Sequence, residues 1–486
     1  MSIKRYTANK DNTITDAYEP NLATRGTGSN MGAADVLETF SIFGQQDPDS
    51  NEKSRILVGF SVSDIITDRS ASFIPASGNV NFYLRLFNAE HSHTLPNNFT
   101  LNVKPISKNW DEGTGLDMES YRDLTFEETG SNWIFAASGS TWTTEGGDYL
   151  TGSNLTASFA LGYEDLDLDI TEIVEEWIVG DAGDDGYTNY GVGIHLVNSQ
   201  ESGSTSYYTK KFFSRTSEFF FKRPVIEARW DSSIKDDRGD LYASSSLVDH
   251  ENTHTLYLYN HVKGNLRNIP GITAKGNAIQ VRIFTSASTN TDGTEITTIE
   301  NQDESTGVPI TGGYESQGIY TASFSINTDV TAAFDRWENV DGTVYHTGSF
   351  KIKPIEASNY NPNSSYVTTI PNLKPIYSKQ EDSRFRLFVR EKDWSPTIYT
   401  KATKGIEGTT IRDAYYRIFR KTDDYEIIPY GTSSDNYTRL SYDTSGSYFD
   451  LDMNLLEAGY AYGMTFVYSS SYGYVEQPEV FKFRVE

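Results

Sequence analysis

The sequence contains no cysteine among its 486 residues. Disulfide bonds and thiolate metal sites are therefore excluded, and stability must come from packing or oligomerisation. Basic residues are also few, with 41 Lys and Arg against 67 Asp and Glu, which gives a formal net charge of −26. Such an acidic chain repels a phosphate backbone, so we expect no nucleic acid among its partners. No apolar run approaches the ~20 residues that span a bilayer, so we expect no membrane partner either.

The opening residues, MSIKRYTANKDNT, contain no hydrophobic segment. A secretory signal peptide needs such a segment, so this stretch is not expected to be one. We therefore expect the chain to reach the outside of a cell by another route, such as host lysis.

Motifs of the common enzyme classes are missing as well. There is no Gly-x-Ser-x-Gly elbow and no glycine-rich phosphate loop, so we expect neither a cofactor nor enzymatic activity. A glycoside hydrolase needs two carboxylates, but adjacent acidic pairs arise by chance in a chain this acidic. The histidines are scattered without a third ligand for zinc, and no metal is assigned. The adjacent carboxylates are Asp111–Glu112, Glu127–Glu128, Asp184–Asp185 and Asp423–Asp424.

Aromatic residues are abundant instead, with 32 Tyr and 26 Phe. Together with many Ser, Thr and Gly residues they favour strands and turns over helices. Alternating runs such as SRILVGFSV at 54–62 and NVNFYLRLFNA at 79–89 predict half-buried strands. The length predicts about three domains, and the pattern divides the chain into residues 1–231, 232–372 and 373–486. We predict an all-β protein built of sandwiches.

One helix is predicted within this β pattern, in the run LDITEIVEEWIVG. Asp169 is placed to cap it. Ile170, Ile173, Val174 and Trp177 follow at i, i+3, i+4 and i+7, which forms one apolar stripe. The stripe must lie on a core, so we expect the helix to close one end of an antiparallel sandwich.

Several segments of the first block resemble a known family when taken in order. They are DNTITDAYEPN with SNMGAADVL, SRILVGFSVSDI, NVNFYLRL, KNWDEGTG, LDITEIVEEWIVG, NYGVGIHL and SRTS…RPVIEARW. This set resembles the DNRLRE-type jelly roll, a domain similar to the carbohydrate-binding modules of bacterial surface proteins. The resemblance covers roughly residues 5–230 and departs from the family in a long insertion at 114–154. It implies a jelly-roll sandwich in the first block.

The second and third blocks resemble modules of virus particles. The strand GIYTASFSIN, a Trp-containing turn and the closing TGSFKIKPI are similar to Ig-like modules of virion proteins. The segments RLFVREKDWSPTIYTKAT and RLSYDTSGSYFDLDMNLLEAGYAYGMTFVY look like the C-terminal part of structural proteins of tailed phages, marine myoviruses in particular. These resemblances imply two Ig-like sandwiches and a virion structural protein on the particle surface, in the tail, baseplate, neck or head decoration. The implied partners are other virion proteins, further copies of the chain and a host surface glycan.

Aromatic residues in and beside the insertion are the candidate contact site. Exposed rings there could stack on sugars or anchor a protein neighbour, or they could simply cover the mouth of the jelly roll. The candidates are Trp110, Tyr121, Trp133, Trp142 and Tyr149.

Two charged features complete the set of candidates. Asp181, Asp184 and Asp185, with the Asn189 side chain nearby, bring oxygen ligands together as a structural cation requires, although an acidic turn after a helix has the same pattern. The basic runs Lys210–Lys211 and Lys222–Arg223 are short, and we expect them to pair with acids at a subunit contact.

Two alternatives stay open at this stage. The chain could be a carbohydrate-binding accessory protein or a polysaccharide-active enzyme that uses the loops of the first block. It could also be a bacterial surface adhesin.

Overall fold

Residues 2–231 fold into a sandwich of two antiparallel sheets. The computed structural model describes residues 2–91, 95–116, 130–152, 154–181, 183, 185–243, 253–285, 293–301, 308–353, 365–392, 408–432, 434–470 and 473–486. Strands make up about 46% of the structure and helices about 8%, which confirms the predicted all-β sandwich class. The chain forms two compact units, Ser2–Asp231 and Ser232–Glu486.

The first unit contains thirteen of the strands and most of the helical residues in the described ranges. Its strands are β1 (Ile3–Thr7), β2 (Lys10–Thr15), β3 (Val36–Phe43), β4 (Asn51–Gly59), β5 (Asn81–Leu86), β6 (Phe99–Pro105), β7 (Phe135–Ala137), β8 (Ser140–Thr141), β9 (Leu155–Phe159), β10 (Leu166–Asp169), β11 (Val192–Leu196), β12 (Tyr207–Phe213) and β13 (Val225–Arg229). Its helices are α1 (Val62–Ser70), α2 (Thr171–Asp181), α3 (Asn198–Glu201) and a 3-10 turn at Phe220–Lys222.

The two sheets of this unit enclose one hydrophobic core. The four-stranded sheet has the order β1-β13-β5-β10, and the seven-stranded sheet has the order β12-β3-β4-β11-β6-β9 with β2 paired to β4. Phe82 and Ile226 face the core from the smaller sheet, and Ile56, Leu101 and Ile194 face it from the larger one. The apolar residues of the alternating strand pattern therefore point into the space between the two facing sheets.

Helix α2 packs its predicted stripe into this core. Ile170, Ile173, Val174 and Trp177 are all buried in the same cluster, as the spacing predicts. The Asp169 carboxylate precedes the helix and accepts hydrogen bonds from the amide and hydroxyl of Thr171, at 2.9 and 2.6 Å.

The second unit begins with a sheet that curls around its own core. Its strands are β14 (Leu241–Tyr242), β15 (His254–Tyr259), β16 (His261–Val262), β17 (Asn265–Leu266), β18 (Ala278–Thr285), β19 (Ile299–Asn301), β20 (Ile310–Ser316), β21 (Ile319–Ile326), β22 (Ala332–Glu338) and β23 (Val344–Lys353). The sheet order is β14-β23-β22-β18-β20-β21-β15, with β19 paired to β21, and β16 and β17 form a separate hairpin. The outermost strands meet, because the Tyr242 amide donates to His254 Nε2 at 3.1 Å.

The remaining strands of this unit form a second pair of sheets. They are β24 (Tyr366–Thr369), β25 (Ile376–Tyr377), β26 (Asp382–Glu391), β27 (Ala414–Arg420), β28 (Glu426–Ile428), β29 (Ser441–Asp443), β30 (Gly446–Asp452), β31 (Ala461–Ser470), β32 (Gly473–Glu476) and β33 (Phe481–Val485). The orders are β24-β26-β30-β29 and β25-β33-β31-β27-β28, with β32 paired to β31. Stacked rings fill the space between them, as in Tyr416–Phe449 at 4.2 Å. Short 3-10 turns lie at Asp237–Gly239 and Met453–Leu455. None of the helices in the described ranges is long and apolar enough to cross a membrane.

Candidate functional site

Trp110 and side chains from residues 133–149 cover the outer face of the seven-stranded sheet. Leu101 and Ile194 point into the main core, so their neighbours Asn102 and His195 point to the opposite face, because side chains alternate along a strand. Asn102 and His195 are also directly paired across β6 and β11. Both are buried, which means that this outer face is itself covered by protein.

Three of the predicted contact residues form that cover. Trp110 is 1% exposed, and Trp133 and Trp142 are each 5% exposed. They pack with Ile14 and Leu57 of the sheet in a second hydrophobic cluster. Of the two alternatives for these tryptophans, exposed stacking rings do not fit the structure, because all three rings are buried against the apolar outer face of the sheet.

The polar edges of these rings are satisfied inside the protein. Trp110 Nε1 donates to the Tyr190 carbonyl at 2.8 Å, and Trp142 Nε1 donates to the Asn132 carbonyl at 2.8 Å. The Lys10 ammonium lies 4.3 Å from the Trp110 ring centroid. Neither indole has a face or an N–H group left for a sugar. The predicted candidate Tyr121 lies outside the described residues.

Of the aromatic candidates that the structure describes, Tyr149 borders an open pocket. Its hydroxyl donates to the Gly146 carbonyl at 2.8 Å, and burial raises its pKa to about 12. Its ring lies over Gly193, where a Cβ atom would collide with it, and 5.5 Å from the His195 ring. The glycine in β11 is therefore required for the tyrosine to seat on the sheet.

A buried ion pair lies beneath this ring. Arg55 donates to both carboxylate oxygens of Glu201 at 2.7 Å and to the Gly146 carbonyl at 2.9 Å. Burial raises the pKa of Glu201, but the hydrogen bonds and charge of Arg55 outweigh it and hold that pKa below its usual value. Burial lowers the pKa of His195 to about 4 against the opposing charge of Glu201, so the imidazole is neutral at pH 7. No local pattern in the sequence indicates this cluster, because Arg55 lies 146 positions from Glu201.

The pocket itself is polar and has a volume of about 570 Å³. Asp148, one of its acidic lining groups, accepts hydrogen bonds from the amides of Thr143 and Thr144. Lys104 has no carboxylate partner among the residues that the structure describes. The pocket can therefore bind a hydroxyl-rich or anionic group. Its lining includes Arg55, Lys104, Lys108, Thr143, Asp148 and Tyr149.

A second exposed feature lies at the end of β12 and in the connection to β13, and we call it the aromatic–basic surface. It consists of Phe213, Phe219, Phe220, Lys222 and Arg223. Phe219 is 49% exposed and Phe220 is 55% exposed. The Lys222 ammonium lies 5.0 and 5.7 Å from the ring centroids of Phe213 and Phe219, and the Arg223 guanidinium lies 5.3 Å from that of Phe220. The basic run predicted for a subunit contact thus sits on exposed aromatic rings.

The other basic run behaves differently. Lys210 is fully buried, so the expectation that it pairs with acids at a subunit contact is wrong. Its neighbour Lys211 lies 3.7 Å from the Glu38 carboxylate, at the surface of the same unit.

The predicted cation site is not assembled by the described residues. Asp181 and Asp185 are exposed, and Asp184 lies outside the described residues. The Asn189 carboxamide is already used, because it donates to the Phe60 carbonyl and accepts from the Gly191 amide. Within the described ranges, no group of three or more His, Asp or Glu residues could hold a metal ion.

Three of the adjacent carboxylates, Glu112, Asp423 and Asp424, are engaged in ion pairs. Arg215 binds both oxygens of Glu112 at 2.9 and 2.6 Å, and Arg420 binds both oxygens of Asp423 at 3.0 and 2.6 Å. Asp424 lies 3.4 Å from Lys421. The pair Glu127–Glu128 lies outside the described residues.

Comparison with known proteins gives weak likenesses only. No family model matches the chain, and no curated protein sequence matches it significantly. Among solved structures, the fibronectin(III)-like modules of CbhA from Clostridium thermocellum are 12% identical, with 45% of this chain and 92% of that chain covered and a TM-score of 0.15. A titin fragment is 13% identical, with 52% and 94% covered and a TM-score of 0.16. Likenesses at these scores carry no argument about function.

Proposed function

We propose that this chain is a non-enzymatic structural protein on the surface of a tailed-phage particle. It binds other virion proteins and further copies of itself. The observation that carries the proposal is the aromatic–basic surface of the first unit. Aromatic residues and arginine are enriched in protein interfaces, and this surface combines exposed phenylalanine rings with an arginine. A chain with a net charge of −26 also offers acidic surface that complements Lys222 and Arg223 on another copy.

Two further observations support the proposal. The resemblance of the second and third blocks to virion modules supplies the class of particle. The adjacent carboxylates that the structure describes at Glu112, Asp423 and Asp424 are bound by basic side chains, which is a structural use of acidic residues.

The location can be tested on particles from the source culture. Antibodies raised against the recombinant chain are applied to purified virions and tail fractions and located by immunogold electron microscopy. We expect label on intact particles, and its position distinguishes the tail, baseplate and neck from a head decoration. Particles that carry no label overturn the proposal.

The contact surface can be tested by the double substitution Phe219→Ser and Phe220→Ser. We expect the wild-type chain to self-associate in light scattering at low salt, and the double variant to be monomeric at the same concentration. Phe73→Ser is the matched control, because Phe73 is also exposed with a cation, Lys4, 5.3 Å from its ring centroid. Equal masses for the wild type and the double variant would contradict a role for this surface in self-association.

The pocket favours glycan binding as a second candidate function. Lys104, Thr143 and Tyr149 offer a cation, a hydroxyl and a ring edge to a sugar. A glycan array tests it directly, with Lys104→Gln as the variant that changes the pocket without touching the core. Binding that is lost in Lys104→Gln supports this function, and an array without signal argues against it.

A further inference from the structure

Lys210 is a buried lysine without an obvious structural need for its charge. It lies on β12 at the edge of the seven-stranded sheet and is among the largest fully buried side chains of the protein. Its ammonium lies between two rings, 4.8 Å from the centroid of Phe212 and 5.2 Å from that of Phe159. An ammonium in such surroundings is costly, and burial lowers the pKa of Lys210 to about 8.

The hydrogen-bond partners of this amine are neutral oxygens. Lys210 Nζ donates to Asn88 Oδ1 at 2.5 Å, to the Glu164 carbonyl at 2.8 Å and to the Gly162 carbonyl at 3.2 Å. The carboxylates of Asp165 and Glu164 act on the ammonium through their charge. The amine is therefore held against a carboxamide in a largely desolvated place.

The carboxamide is held in position from several sides. The backbone amide of Asn88 donates to Asp165 Oδ1 at 2.7 Å. Asn88 also forms an antiparallel β-bridge with Phe212, which lies two residues beyond Lys210. His91 Nε2 lies 3.1 Å from Asn88 Oδ1. In the tautomer with a proton on Nε2, His91 donates to that oxygen and polarises the carbonyl. A nucleophile and an electrophile fixed in this way react far faster than in free solution.

We propose that Lys210 and Asn88 form an intramolecular amide crosslink. The neutral amine of Lys210 attacks Asn88 Cγ, and a bond forms between Nζ and Cγ. The bond between Cγ and Nδ2 breaks, and Nδ2 leaves as ammonia with the proton that Nζ loses. The reaction needs no oxidant or other co-reactant.

The crosslink goes beyond the proposed function and has a clear structural consequence. It joins β12 of the seven-stranded sheet to the segment that follows β5 of the four-stranded sheet, across 122 residues of chain. In a chain without cysteine, it is a covalent connection between the two sheets that a disulfide cannot provide.

Mass spectrometry of the denatured wild-type chain tests the proposal. We expect an intact mass lower than that of the sequence by one ammonia, and a digest that contains one linked pair of peptides carrying residues 88 and 210. Lys210→Met and Asn88→Ala should each restore the full mass, whereas the neighbouring Lys211→Arg should keep the loss. A wild-type chain with the full sequence mass overturns the proposal, and so does a loss of ammonia located at any other residue. The wild-type measurement does not depend on whether any variant folds.

Discussion

At the level of single residues, the first unit neutralises its buried charge in clusters. The Glu227 carboxylate accepts hydrogen bonds from Arg5 at 2.7 Å, Arg229 at 2.8 Å and Arg85 at 3.2 Å. Burial raises the pKa of Glu227, but the three guanidinium groups outweigh it and hold this pKa well below its usual range. One carboxylate therefore compensates several buried cations of the four-stranded sheet.

This arrangement predicts a large effect of Glu227→Gln. The substitution removes the buried carboxylate that the three guanidinium groups share, while Asp167 still pairs with Arg229 at 2.8 Å. We expect a loss of about 3–5 kcal/mol in the free energy of unfolding. Urea unfolding followed by tryptophan fluorescence measures it. Glu38→Gln is the matched control, because the Glu38–Lys211 pair is about a third exposed and should cost less than about 1 kcal/mol. Equal costs for the two variants would contradict a buried compensating role.

His195 predicts a pH dependence of stability. Its pKa is about 4 in the folded chain against 6.5 ordinarily, so the unfolded chain binds the extra proton between these values. The neutral imidazole therefore contributes stability above pH 6.5, and this contribution is lost as the pH falls toward 4. We expect the difference in unfolding free energy between wild type and His195→Gln to shift by up to about 3 kcal/mol over that range. Parallel pH profiles of the two proteins would exclude this role.

The aromatic candidates show what single residue types can and cannot reveal. The sequence draws attention to Trp110, Trp133 and Trp142. It does not indicate whether a tryptophan in a loop faces solvent or covers a sheet. Burial was decided by the apolar side chains Ile14 and Leu57 on the outer face of distant strands. The sequence alone did not predict that this outer face is apolar and covered. The alternating pattern of the strands indicates only that one of their two faces packs on the main core.

At the level of elements, α2 was predictable because its signals are local. The Asp169 cap and the stripe that ends at Trp177 lie within nine residues, and the structure buries the stripe as the spacing predicts. The Arg55–Glu201 and Lys210–Asn88 contacts join residues that are 146 and 122 positions apart. Such contacts depend on the pairing of strands, which no local pattern contains.

The buried face of α2 predicts a sharp contrast along the helix. Trp177→Ala removes the largest side chain of the stripe from the core, and we expect a loss of about 3–5 kcal/mol in the free energy of unfolding. Val179→Ala changes a side chain on the exposed side of the same helix and should change that free energy by no more than about 0.5 kcal/mol. Chemical unfolding of both variants provides the comparison. A tolerated Trp177→Ala would mean that the helix does not close the sandwich.

At the level of the whole molecule, the second unit joins its curled sheet to its C-terminal pair of sheets through polar contacts. Lys235 and Tyr442 form a parallel β-bridge. The Tyr442 hydroxyl donates to Asp237 Oδ1 at 3.0 Å, and an Arg412 nitrogen lies 3.4 Å from the same oxygen. The buried Asp237 carboxylate is thus held by side chains from the other half of the unit, which explains how two sets of sheets form one compact body.

Tyr442→Phe tests this connection with the loss of a single oxygen atom. The substitution removes a donor from a buried carboxylate, and we expect a cost of about 1–3 kcal/mol. Because the lost bond lies between the two sets of sheets, calorimetry should show the single transition of the second unit broaden or split in two. Tyr415→Phe removes a hydroxyl that donates to Asn436 Oδ1 at 2.8 Å within the C-terminal part of the unit, and it should lower the melting temperature without splitting the transition. If both variants melt with the same profile, the hydroxyl contact at Asp237 does not couple the two sets of sheets.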